Sequence, residues 1–66
     1  MMIHLNGEPR ETASHLSLTD LLRELGLEGR PVVVEHNGDA LLPKEHAELT
    51  LAEGDRLEIV AITAGG

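Results

Sequence analysis

The 66-residue chain closes on Ala64-Gly65-Gly66, an acid group carried on two residues that lack Cβ atoms. A carboxylate that must enter another enzyme's narrow active site needs such neighbours, because side chains would strike the walls and restrict the backbone. The expected chemistry is activation of the Gly66 carboxylate as an acyl group, with Ala64 and Gly65 as a flexible tail. Chain ends are also commonly frayed and tolerant of change, so the glycine pair acquires meaning from the fold behind it.

Other reactive side chains are sparse. There is no cysteine, which excludes a disulfide framework, a thiolate metal site and a cysteine nucleophile. An absent thiol also suits a chain with an activated end, since an internal thiol would capture the acyl group or form mixed disulfides. His4, His15, His36 and His46 have neither the i, i+4 helical spacing nor a close ligand pair, so no metal site is expected. Ser14 and Ser17 lie near a histidine, but no Gly-x-Ser-x-Gly elbow surrounds them, and so short a chain leaves little room for a substrate pocket. The glycines fall at turns and at the terminus, and none builds a phosphate loop.

Composition narrows the partners. The formal charge of −7 is the excess of 12 acidic residues, spread along the chain, over 5 basic ones. Such a field opposes nucleic acid and anionic membranes and favours basic protein surfaces, besides keeping the chain soluble. No apolar stretch approaches the length of a membrane span, and Met1-Met2-Ile3-His4 does not open a signal peptide. A cytoplasmic protein, monomeric when free, is the expectation. Without Phe, Tyr or Trp, the core must be built from aliphatic side chains.

The elements that must present the tail can be read from spacing. Ile3 and Leu5 alternate with His4 and Asn6, and Asn6-Gly7 marks a two-residue hairpin turn. The return strand, Glu8 to Thr12, contains Pro9 and belongs on a sheet edge. Leu18, Leu21, Leu22 and Leu25 form one helical stripe, predicting a helix over Leu18 to Leu25. Ser17 is placed to cap it, Asp20 to complete a capping box, Leu16 to staple onto Leu21, and Gly26 with Leu27 to end it in a Schellman motif.

Val32-Val33-Val34 reads as a buried central strand, His36-Asn37-Gly38-Asp39 as a turn, and Leu41-Leu42 as a short strand. Pro43 opens a brief helical turn through Ala47, Glu53-Gly54-Asp55 turns again, and the last strand runs from Arg56 to Thr63. A hairpin, one amphipathic helix and further strands make an α+β domain, a β-grasp arrangement of a mixed four- to five-stranded sheet with the helix on one face. The expected domain covers residues 1–63 and the tail residues 64–66.

If Leu57 and Ile59 point into the core, period two sends Glu58, Val60 and Ile62 to the opposite face. Exposed apolar residues beside a reactive tail fit a partner-binding face rimmed by acids. A covering loop or a bulge would hide them instead.

In its Ile3-His4-Leu5-Asn6-Gly7 opening, its leucine-rich helix, Leu42-Pro43-Lys44, Glu53-Gly54-Asp55-Arg56-Leu57-Glu58-Ile59 and Val60 to Gly66, the chain resembles the ubiquitin-like sulfur carriers. The likeness is greatest to the branch that serves thiazole formation in thiamine biosynthesis. The small subunit of molybdopterin synthase shares the fold and the Gly-Gly end but tends to be longer, with a proline before the glycines. The resemblance implies that a ubiquitin-activating-like adenylyltransferase uses ATP to adenylate Gly66. Sulfur from a cysteine desulfurase or other persulfide donor then yields a thiocarboxylate, which thiazole synthase consumes. The carrier itself would bind no cofactor and catalyse nothing. Molybdopterin synthesis, tRNA thiolation and a non-covalent β-grasp interaction module are the alternatives.

Overall fold

The computed structural model describes residues 1–63. The predicted tail, Ala64 to Gly66, lies outside the described residues. Within them the order is β1 (Met2–Leu5), β2 (Glu8–Glu11), α1 (Leu18–Glu24), β3 (Val32–His36), β4 (Asp39–Ala40), a 3-10 helix (Pro43–Glu48) and β5 (Arg56–Ala61). The five strands make one mixed sheet in the order β2-β1-β5-β3-β4. This is the predicted α+β, ubiquitin-like β-grasp arrangement.

Turn chemistry sets the two hairpins. Asn6 and Asn37 hold positive φ angles of 51° each, followed by Gly7 at 84° and Gly38 at 87°. Positive φ at both central positions is the type I′ geometry whose twist matches paired strands. The two-residue turns fix Leu5 opposite Glu8 and His36 opposite Asp39. Pro9 accordingly lies on the edge strand β2, where no ladder bond is lost on its outer side.

Helix α1 is specified at both ends. The Ser17 hydroxyl accepts from the Asp20 amide at 3.0 Å. The Leu27 amide donates to the Leu22 carbonyl at 2.8 Å and the Gly26 amide to the Arg23 carbonyl at 3.1 Å, the paired bonds of a Schellman ending. Gly26 takes a φ of 75°, which an L side chain would resist. Leu25 is thereby the C-cap and not the last helical residue. Asp20 does not close a capping box; its carboxylate instead accepts from Arg23 at 3.0 Å.

The leucine stripe of α1 covers one sheet face. Leu18, Leu21 and Leu22 pack with Ile3, Leu16, Val34, Leu51, Leu57 and Ile59 into a single buried aliphatic cluster. Before the helix, residues around Ser17 pair with the strand-like stretch at Thr50, through Leu18 amide to Leu49 carbonyl at 3.0 Å and Leu51 amide to Leu16 carbonyl at 2.8 Å. This tie carries Leu51 into the core.

Several expectations need correction. The central strand is β5, not the valine run, and Val33 is exposed while Val34 is buried. A strand with the helix on only one side can bury only alternate residues. The fourth strand is Asp39–Ala40, not Leu41-Leu42, because the tight turn at Asn37-Gly38 starts pairing at once. β5 ends at Ala61, before Thr63, with one further bond from the Ile62 amide to the Pro31 carbonyl at 3.0 Å.

Candidate functional site

β5 leads directly toward the C-terminal residues, so its support governs how they are presented. It is held on both sides, parallel to β1 and antiparallel to β3. Backbone bonds from His4 amide to Asp55 carbonyl and Asn6 amide to Leu57 carbonyl, each 2.8 Å, bind it to β1.

Side chains from both Asn-Gly turns extend this support. The Asn6 carboxamide oxygen accepts from the Ile59 amide at 2.8 Å, and its nitrogen donates to the Ile59 carbonyl at 3.2 Å. Beyond the point where β1 turns away, one side chain therefore continues the ladder. On the other flank Asn37 accepts from the Arg56 amide at 2.9 Å and donates to the Asp55 carboxylate at 3.2 Å.

Asp55, the buried charged residue at the foot of β5, gathers these contacts. Its carboxylate accepts from the Ala52 amide at 2.9 Å and lies 2.8 Å from His36 Nε2. Burial pushes its pKa up, but the Ala52 amide, His36 and Asn37 together outweigh that and hold it below the ordinary carboxylate value. The network anchors a turn and a strand start. No serine, threonine or lysine side chain joins it in the hydrogen bonds of the described residues.

Along β5 the alternation is as the sequence predicts. Leu57 and Ile59 face the core, whereas Glu58, Val60 and Ile62 are exposed, Val60 by 61% and Ile62 by 51%. No loop covers them among the described residues. The register adds two residues that the valine run concealed: Val33, 48% exposed, stands opposite Val60, and Glu35 opposite Glu58. Three consecutive valines carry no alternation that could have marked either one; only once Val34 is seen to be buried must its neighbours on both sides turn outward. A shallow depression lined by His4, Gly7, Arg56, Leu57 and Glu58 adjoins this face.

The other sequence candidates separate. His15 takes a positive φ of 61° in the approach to the helix, and His36 binds Asp55. Among the described residues no three His, Asp or Glu side chains converge as a metal site would require. No helix there is long and apolar enough to cross a membrane. Ala64, Gly65 and Gly66, the predicted site of chemistry, lie outside the described residues.

Comparison with known proteins agrees with this architecture. A family profile described as the ThiS family matches residues 3–66. The chain is 40% identical over 65 residues to the sulfur carrier protein ThiS of Thermus thermophilus, covering 98% of this chain and 100% of that one. It is 38% identical over 66 residues to a thiazole synthase of Paramagnetospirillum magneticum, covering 100% of this chain but only 20% of the longer protein. The crystal structure of the thiamine biosynthesis protein ThiS from Geobacter metallireducens superposes with a TM-score of 0.83 at 32% identity, over 100% of both chains. These matches, over a β-grasp sheet of the same architecture, place the chain in the ThiS family.

Proposed function

We propose that this chain is a sulfur carrier of thiamine biosynthesis that works as a co-substrate and not as a catalyst. The observation that carries the reading is the matched pair of ThiS-family membership over residues 3–66 and an open sheet face on the strand leading to Gly66. The carboxylate of Gly66 attacks the α-phosphorus of ATP held by a ubiquitin-activating-like adenylyltransferase, and pyrophosphate leaves. A persulfide sulfur, supplied through a cysteine desulfurase or another donor, then attacks the acyl carbon and expels AMP. A thiol cleaves the resulting acyl disulfide, leaving a thiocarboxylate on Gly66 and a disulfide on the donor. ATP belongs to the activating enzyme, and the carrier binds no cofactor of its own.

Thiazole synthase is the proposed acceptor. Support comes from the thiazole synthase of Paramagnetospirillum magneticum, one fifth of which is similar to the whole of this chain. Glu58, Val60 and Ile62 serve as the docking surface, with Ala64 and Gly65 threading the acid group into each partner. These steps place the carrier in the cytoplasm, where ATP and the donor enzyme are found. Charge stabilisation and alignment come from the partners, so the carrier needs only a rigid sheet and a narrow end.

Reconstitution tests the assignment. Carrier loaded with isotopically labelled sulfur is mixed with thiazole synthase and its remaining substrates. Label in the thiazole product is the expected result. Label found only in a molybdopterin product or in thiolated tRNA, when those acceptors are offered, assigns the chain to the corresponding alternative branch.

A further inference from the structure

Asn6-Gly7 and Asn37-Gly38 are the same dipeptide in the same kind of turn, with φ of 51° at each asparagine and 84° and 87° at the glycines. Besides turning the chain, the pair carries a chemistry of its own. A glycine amide nitrogen, with no Cβ beside it to block the approach, can attack the carboxamide carbon of the asparagine before it. A ring C–N bond forms, the bond to the side-chain nitrogen breaks, and ammonia leaves. Water then opens the succinimide to aspartate or isoaspartate, so the net change is one water consumed and one ammonia released. In either turn the carboxamide must first leave its hydrogen bonds, and the fold therefore sets the rate.

The two holds differ. Asn6 is tied by both carboxamide atoms to Ile59 on the central strand, through partly buried bonds of 2.8 and 3.2 Å. Its hairpin has four residue pairs, and the strands flanking it line the aliphatic core through Ile3, Leu57 and Ile59. Asn37 closes a hairpin of only two pairs at the sheet edge, where β4 is Asp39–Ala40. Asn37, Gly38, Asp39 and Ala40 are all exposed, as is the bond from the Arg56 amide to the Asn37 oxygen. Short edge pairing with few buried contacts opens locally, at a small fraction of the free energy of global unfolding.

We propose that Asn37-Gly38 is a site of spontaneous deamidation in the folded carrier, reached by local opening of the β3-β4 hairpin, while the clamp on Ile59 protects Asn6-Gly7. The consequence falls on the foot of β5. The Asn37 nitrogen donates to an Asp55 oxygen at 3.2 Å, and an aspartate product sets a carboxylate oxygen there instead. Two acids at that distance repel, and Asp55 loses a donor. An isoaspartate product adds a carbon to the backbone of a two-residue turn and disturbs the pairing of His36 with Asp39. Deamidation thus ages the carrier by loosening the start of β5, whatever reaction its terminus serves.

Peptide mapping by mass spectrometry, on the full chain held at mildly alkaline pH, follows both sites in buffer, in urea below the unfolding transition and in urea above it. Above the transition the two asparagines are expected to react at similar rates, since the dipeptide is the same. In buffer Asn37 is expected to deamidate about tenfold faster than Asn6 or more, a difference in opening free energy of at least about 1.4 kcal/mol. Urea below the transition accelerates Asn6 steeply, because its release exposes much surface, and Asn37 only weakly. Equal rates in buffer, faster reaction at Asn6, equally steep urea dependence at both sites, or no reaction at Asn37 in a folded chain whose unfolded form converts would overturn the inference. Thermal melting tests the consequence separately. Asn37→Asp is expected to melt below wild type at neutral pH, and a variant that melts at or above the wild-type temperature overturns the ageing role.

Discussion

Asn6 and Ile59, 53 residues apart in sequence, are joined by two hydrogen bonds between one carboxamide and both backbone groups of the other residue, at 2.8 and 3.2 Å. The side chain of a turn residue thus acts as an extra rung of the sheet. It steadies β5 one residue before Val60, on the path to the residues that carry the proposed chemistry.

Replacement of Asn6 separates this rung from the turn. Asn6→Gly keeps the positive φ at no steric cost but removes both bonds, and is expected to lower stability by about 1–2 kcal/mol. Asn6→Ala loses the bonds and adds a left-handed backbone cost of about 1 kcal/mol, so it should be the less stable of the two. Urea unfolding of both variants gives the comparison. Equal stability of Asn6→Gly and wild type would mean that the carboxamide contributes nothing.

The Asp55 network predicts an acid limb of stability. A carboxyl whose folded pKa is depressed stabilises the fold at pH values above its unfolded value, about 3.9, and that contribution fades as pH falls through the lower folded value. Wild type should therefore lose stability as pH drops below about 4, while Asp55→Asn should be less stable near neutrality by about 1–3 kcal/mol and show a flatter acid limb. Thermal melts of both proteins from neutral pH downward measure this. Parallel acid limbs would show that other carboxylates control the response.

Much of this architecture is written locally, and the parts that are not share a cause. The helix is legible because its leucine stripe, Ser17 and Gly26 agree over a few consecutive residues. The two Asn-Gly turns are legible for the same reason. Val33 is not, because three consecutive valines show no alternation and the absent cover on one side of the sheet is a tertiary fact. Leu41-Leu42 looks more strand-like than Asp39-Ala40, yet the tight turn fixes the pairing before hydrophobicity can. Glu58, Val60 and Ile62 follow correctly from period two, whereas Glu35 emerges only when the β3 register is known. The Asn6 contact spans nearly the whole chain and leaves no local trace.

Val60→Asp and Ile62→Asp test the docking strand. Both side chains are already exposed, so each substitution is expected to change stability by no more than about 0.5 kcal/mol. Binding to the adenylating enzyme and to thiazole synthase should fall by about tenfold or more, since a charge would be forced into an apolar contact. Titration calorimetry beside thermal melts separates the two effects. Unchanged affinity in both variants would exclude this face from either complex.

The acid group of Gly66 carries the proposed chemistry, and mass spectrometry of the intact carrier addresses it most directly. Wild type and a variant lacking Gly66 are incubated with the adenylating enzyme, ATP and a persulfide donor, then fragmented to locate any added sulfur. The predicted result is exchange of one oxygen for sulfur, confined to Gly66, in wild type alone. Sulfur placed elsewhere in the chain, or equal modification of the shortened variant, would contradict it.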